Sequence, residues 1–177
     1  MSFLDLKVSE YLTKVGSKTS TPGGGSVLGL VLSLACNLDL MVCNFTLNKK
    51  GYEEVSSEIE ELINKINQID VVAKFLMDED SLSFSKLMDA YKSKDEEKIS
   101  SASIDAAMVP YKLYKETKKL EEISSRLCLI GNKNVVSDAE TAHDLCLSIY
   151  NGCKLNINAN IKSIKNQEIL TKLNAIL

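Results

Sequence analysis

Residues 21–52 read TPGGGSVLGLVLSLACNLDLMVCNFTLNKKGY, and this stretch decides the fold. From Ser26 to about Asn48 it is apolar nearly all round at helical spacing, the pattern of a helix buried among other helices. Ser33, Asn37, Asp39 and Asn44 interrupt it too often for a comfortable membrane span. It is expected to be the central buried helix of an all-α bundle. Gly23, Gly24 and Gly25, followed by Ser26, let backbone N–H groups approach an anion at the helix start. The same residues read equally well as a flexible loop capped by Ser26. No Gly-Lys-Ser/Thr follows and no strand precedes, so this is not a Walker loop. Ser26, Ser33, Asn37, Asn44 and Asn48 step by 7, 4, 7 and 4 and share one narrow face. They either line a cleft with polar groups or hydrogen-bond neighbouring helices. Lys49 and Lys50 close the stretch, as a cap for the helix dipole or as partners for a carboxylate-rich ligand.

Outward from this helix the pattern stays helical. Residues 3–15 make a short first helix, and 16–25 a loop. Val55, Ile59, Leu62, Ile66, Ile69, Ala73 and Leu76 recur at amphipathic spacing within a long helix over 53–91. Lys92–Lys98 reads as a turn, 99–130 as a second long helix bent at Pro110, and Gly131-Asn132 as its stop. Ser137 with Glu140 has the spacing of a capping box opening the next helix, and a last helix spans roughly Asn166–Leu177. The expectation is a single-domain bundle of about six helices covering 1–177.

Composition agrees. Of 177 residues 45% are apolar, enough for one core, and only two prolines and eight glycines punctuate them. A net charge of −3 gives no general reason to bind nucleic acid or an anionic membrane. The five cysteines form no C-x-x-C pair, and Met1 leads into an ordinary mixture rather than an export signal. They read as reduced, buried thiols of a cytoplasmic protein. A lone His143 inside a helix, without Cys/His clusters, supports neither a catalytic triad nor a zinc site.

Carboxylates and amides are left to carry chemistry. Asp78-Glu79-Asp80 lies mid-helix, and Asp80 shares its side with Leu76, Ser83 and Leu87, so it is the one expected to face inward. Three solvated acids are the other reading. Asp138 sits at a helix start, where an acid is favourable in any case. Asn156 and Asn160 are one turn apart and face a ligand or a neighbouring helix.

Taken in order, Pro22–Ser26, Met41-Val42, Thr46, Lys49, Lys50 and Tyr52, Asp78–Asp80 with Phe84, Ala106, Val109 and Pro110, Gly131–Ala139, and Asn156 with Asn160 resemble the motifs of the formiminotransferase-cyclodeaminase C-terminal family. The match runs from about residue 5 to 165. It departs at Lys92–Lys98, which is shorter and lacks an arginine common there, and at Asn166, where an acid is frequent; Arg126 is the chain's one arginine. The resemblance implies an all-helical homodimer acting at N5 and N10 of tetrahydrofolate, as formiminotetrahydrofolate cyclodeaminase or methenyltetrahydrofolate cyclohydrolase. No metal, and no cofactor beyond the folate substrate, is implied. A non-catalytic folate-binding or scaffolding paralogue is the alternative.

On the matched motifs Asp80 and Asp138 are the expected catalytic groups, Asp80 with a raised pKa as acid and Asp138 with a lowered one. Gly23, Gly24, Gly25, Ser26, Lys49, Lys50, Asn132, Asn156 and Asn160 are the expected substrate-binding residues. The buried helix holds the glycines and the lysines ~35 Å apart at ~1.5 Å per residue. A pocket bordered by both requires an antiparallel partner helix from a second subunit.

Overall fold

The computed structural model describes residues 2–177. Among them there is no strand, and six α-helices carry the fold: α1 Val8–Val15, α2 Gly24–Thr46, α3 Ser56–Ser93, α4 Glu96–Ile130, α5 Val136–Asn160 and α6 Gln167–Asn174. Short 3-10 turns lie at Phe3–Asp5, Glu53–Val55 and Ile161–Ser163. The expected 3–15 helix is therefore split at Leu6-Lys7, and α1 starts where Glu10 Oε2 accepts from the Lys7 N–H.

Four helices form the bundle. α2 packs between α3 and α5 and crosses α4 on the diagonal. Leu32, Ala35, Cys36, Val42 and Cys43 of α2 are fully buried against Ile59, Ile66 and Ala73 of α3, Leu120 and Leu127 of α4, and Cys146, Ile149 and Cys153 of α5. The reading of α2 as the central buried helix holds. It is long and apolar enough to cross a membrane, yet half of its most apolar window is buried in the bundle. Two glycines allow close approach: a Cβ on Gly29 would press on Met77 and Ala73 of α3, and one on Gly152 would strike Leu28.

The punctuation differs from expectation in three places. The turn at Lys92–Lys98 shrinks to Lys94 and Asp95. Lys94 adopts φ 56° to end α3, and Asp95 caps α4 by accepting from the Glu97 and Lys98 N–H groups. α4 continues through the buried Pro110 as one helix. The Ser137–Glu140 capping box does not form, because α5 begins at Val136 and puts Ser137 already inside the first turn. The chain is instead held there by Asn132 Oδ1, which accepts from the Asn134 N–H.

α3 and α4, with 38 and 35 residues, outrun the 23-residue α2. At ~1.5 Å per residue α2 spans ~34 Å and α3 ~57 Å. The α3–α4 hairpin therefore overhangs the start of α2, and a second small core of Ala107, Ile157, Ile164 and Leu173 fills the overhang under α6.

Asp39 is a carboxylate sealed from solvent in the main core. Its Oδ2 accepts from the Ser124 hydroxyl at 2.6 Å, while Oδ1 meets no protein partner. Burial pushes its pKa up to about 7, and the Ser124 hydrogen bond offsets this only in part. Between pH ~4 and ~7 the folded chain thus holds a proton that the unfolded chain has released, so stability falls as pH rises through this window and levels off above it. A gap of about three pH units corresponds to roughly 4 kcal/mol as an upper bound. Asp39→Asn is expected to flatten the pH dependence of Tm between 4 and 7; a variant that keeps the wild-type slope would refute the assignment.

Candidate active site

A niche of about 220 Å³ opens where α2 begins against the side of the α3–α4 hairpin. Its walls come from four parts of the chain: Ser20, Thr21 and Gly23–Gly25 before and at the start of α2, Asp80, Ser83 and Phe84 of α3, Ala106 of α4, and Asn156, Ala159 and Asn160 of α5. The fold thus brings together the glycine run, Asp80 and the Asn156/Asn160 pair, which are up to 137 positions apart in the sequence.

Asp80 is the centre of the niche. Its Oδ2 accepts from the Ser26 N–H at 3.0 Å, and a Cβ on Gly25 would land on the carboxylate itself. The expected anion site at the helix start is therefore occupied, within one subunit, by the protein's own acid. Burial raises the Asp80 pKa above the usual carboxylate range, partly countered by the Ser26 N–H. The raised value expected from an inward-facing mid-helix acid agrees in direction. Ser83 Oγ donates to the Asp80 carbonyl, and Ser26 Oγ shares a 3.0 Å hydrogen bond with the buried Tyr11 hydroxyl. Asp78 accepts from the Phe3 N–H, which ties down the N-terminal turn, and Phe3 packs edge-on against Tyr11. Tyr11 and Phe3 were not singled out in the sequence, since an aromatic in a short amphipathic helix carries no mark of its partner.

Asn156 and Asn160 each donate through Nδ2 to the carbonyl four residues earlier, Gly152 and Asn156 respectively. This fixes their rotamers. The Asn156 amide stands beside Gly24, at the same mouth as Asp80.

The other candidates lie at the far end of α2. Asn132 is buried, and its groups are committed to structure: Nδ2 donates to the Phe45 carbonyl, the backbone N–H donates to Thr46 Oγ1, and Oδ1 holds Asn134. Its expected contact with substrate gives way to a role in closing the C-terminal end of α2. Lys49 stands 5.8 Å from the Tyr52 ring, and the Tyr52 hydroxyl accepts from the Lys133 N–H. Both lysines follow the helix rather than ending it, because Asn48 turns the chain at φ 56°. Asp138 sits in the first turn of α5, 18 residues before Asn156 and hence ~27 Å from it. Neither Asp138 nor the lysines reach the niche of their own subunit.

The polar stripe divides. Ser26 and Ser33 are buried, Ser33 donating to Asp70 at 2.5 Å with Lys74 on the other oxygen. Asn37, Asn44 and Asn48 are exposed. Ser26, Ser33, Asn37 and Asn44 share one face of α2, which runs from buried to exposed, whereas Asn48 lies beyond the helix end, where the chain turns at φ 56°. His143 lies on α5 near Glu121, 3.6 Å away, outside the niche. Arg126 forms a two-pronged pair with Glu58 on the outer face of α3 and α4. It borders a larger groove of about 510 Å³ that contains none of the candidate residues.

Residues 7–177 match the family model described as formiminotransferase-cyclodeaminase. The chain is 29% identical to a methenyltetrahydrofolate cyclohydrolase from Methylorubrum extorquens, with 96% of this chain and 88% of that protein aligned. It is 26% identical to the mouse formimidoyltransferase-cyclodeaminase over 92% of its own length, which spans 32% of the mouse protein. The crystal structure of formiminotetrahydrofolate cyclodeaminase from Thermotoga maritima superposes with a TM-score of 0.93 at 35% identity, covering 97% of this chain and 86% of that one.

Proposed function

The chain belongs to the formiminotransferase-cyclodeaminase family, whose relatives place it among folate one-carbon enzymes of the cyclodeaminase or cyclohydrolase type, and we propose that its own reaction is formiminotetrahydrofolate cyclodeamination. The observation that carries the proposal is the half-buried carboxyl of Asp80, bonded to the start of α2 in a niche rimmed by Asn156 and Asn160. The 35% identity to the Thermotoga maritima cyclodeaminase supports the finer choice of reaction.

In cyclodeamination N10 attacks the formimino carbon on N5, and ammonia leaves. Protonated Asp80 gives its proton to the formimino nitrogen, which makes the carbon electrophilic. After N10 adds, the Asp80 carboxylate takes the N10 proton and returns it to the amino group, which departs as ammonia. The methenyl bridge keeps the positive charge. One group thus acts as acid, base and acid again, and a pKa lifted toward neutrality suits each role. In this reading Asn156 and Asn160, whose Nδ2 groups are held by backbone carbonyls, offer their Oδ1 atoms as acceptors to the pterin. Each step is a proton transfer or an addition at carbon, so the mechanism calls for no metal and no cofactor besides folate. The second reading, cyclohydrolysis, has the same acid deprotonate a water that attacks the methenyl carbon; the Methylorubrum extorquens relative, 88% of which is spanned, favours it. The five unpaired thiols fit the cytoplasmic location we propose.

The methenyl chromophore separates these readings. With 5-formiminotetrahydrofolate the protein is expected to generate it and to release ammonia. Bleaching of added methenyltetrahydrofolate, without production from the formimino compound, would assign the hydrolase. No change with either folate, while binding persists, would overturn both in favour of a non-catalytic binder.

A further inference from the structure

The first turn of α2 has no cap of its own. Its N-cap is Gly23, which offers no side chain, and Gly24 and Gly25 follow it. Glycine leaves the backbone many conformations to choose from, so a helix entered through three of them is loosely held at its start. Two groups from elsewhere in the chain hold it instead. Asp80 of α3 accepts from the Ser26 N–H at 3.0 Å, in the place of the usual N-cap side chain. Tyr11 of α1 meets Ser26 Oγ, also at 3.0 Å, and both residues are buried. Ser26 is thus gripped on its backbone by the acid and on its side chain by Tyr11.

The two grips respond differently to a proton. An ionised Asp80 makes a charge-assisted hydrogen bond with the N–H and favours the positive end of the helix, and protonation removes that charge. The Tyr11–Ser26 bond joins two neutral hydroxyls and is the same in either state of the acid. Tyr11 is the only buried residue of α1, while Val8 and Leu12 are 76% and 62% exposed, so α1 is seated chiefly through its tyrosine. The turn before α1 is tied to the same stretch of α3, because Asp78 accepts from the Phe3 N–H at 2.9 Å and the Phe3 ring packs edge-on against Tyr11. The titratable groups at this junction are Tyr11, Asp78 and Asp80. α2, α4 and α5 bring to it Gly25, Ser26, Ala106, Asn156 and Asn160, none of which titrates.

We propose that Tyr11 is a positioning residue, which through Ser26 holds the first turn of α2 in place while Asp80 gains and loses its proton; the role rests on Asp80 being the proton-transfer group. The Ser26 N–H then faces the carboxylate throughout the reaction.

Tyr11→Phe and Ser26→Ala test this. Each deletes one side of the hydroxyl pair and leaves the Ser26 N–H and Asp80 in the chain. Loosening that N–H weakens the contact that counters burial, so the Asp80 pKa rises further. The decline of activity at high pH is expected to move to higher pH in both variants. Turnover should fall roughly 3–10-fold, the range of one hydrogen bond, with KM little changed. The Asp80 carboxyl carbon, assigned in NMR spectra by its absence from Asp80→Asn, should titrate at higher pH in folded Tyr11→Phe protein without any folate. A loss of stability alone does not produce that shift. The double variant should be no worse than the poorer single one, since both changes cut the same bond. Additive losses, or a fall in Tm with the wild-type pH profile and the wild-type Asp80 titration, would overturn the role of Tyr11. Near-normal turnover in Asp80→Asn would instead sink the acid itself, an outcome that the folate-free titration of Tyr11→Phe keeps separate.

Discussion

Asp80→Asn is expected to lower turnover by roughly 10²–10⁴-fold, the usual size of a lost general acid–base group. Asparagine keeps the volume, and its Oδ1 can still accept from the Ser26 N–H at the start of α2, so the niche should keep its shape. What it cannot do is carry a proton from N10 to the departing nitrogen. The loss should therefore fall on kcat, with KM and Tm nearly unchanged. The pH profile gives an independent check: burial raises the pKa of Asp80, so activity that depends on its protonated form declines as pH rises through that value, and the variant should lack this limb. His143→Ala should cost little, since His143 faces Glu121 outside the niche. Near-normal turnover in folded Asp80→Asn protein would remove Asp80 from the reaction and shift attention to Asp138, the other acid of the matched motifs.

A comparable loss is expected from adding one methyl group. In Gly25→Ala the new Cβ falls on the Asp80 carboxylate, so the acid must swing away and leave the Ser26 N–H. The helix itself does not object, because alanine is favoured over glycine in a helix by about 1 kcal/mol. Any destabilisation should stay within the ~1–3 kcal/mol of an overpacked site, while turnover falls by at least ~10²-fold, in line with removal of the acid. Gly23→Ala is the matched control. Its Cβ would meet only the Ser20 carbonyl at an ordinary 3.5 Å, and its φ of −114° suits any residue. Equal activity in the two alanine variants would show that the fit between Gly25 and Asp80 does not matter for catalysis.

The helices and the acid were legible because their signals are local. The spacing of Leu76, Ser83 and Leu87 turned Asp80 toward their side before any partner was known, and the structure places it half-buried against the start of α2. The apolar run of α2 likewise carried its burial on its face. Contacts across the chain were not legible. Asp39 looked like an interruption of an apolar run, and its partner Ser124 is 85 positions away. Asn132 looked like a ligand residue, yet its amide serves the Phe45 carbonyl, because that end of α2 needs an acceptor satisfied more than the motif suggests. The capping box failed for a similar reason: Ser137–Glu140 has the right spacing, but the Asn132–Asn134 turn starts the helix a residue too early for Ser137 to cap it. The polar stripe was read correctly for Ser26, Ser33, Asn37 and Asn44, whose exposure depends on where α3 and α5 pack, but Asn48 falls beyond the end of α2.

The early end of α2 divides labour along the molecule. Residues whose burial holds the four helices together lie below the point where α2 begins, whereas Ser83, Phe84 and Ala106, which wall the niche from above, belong to the overhanging hairpin with its own small core. Substitutions in the overhang can therefore reshape what the niche admits, an amino or a hydroxyl group on the one-carbon unit, while the bundle beneath keeps its packing. Such an arrangement lets related chains diverge in the reaction they run without first losing the scaffold that presents the acid.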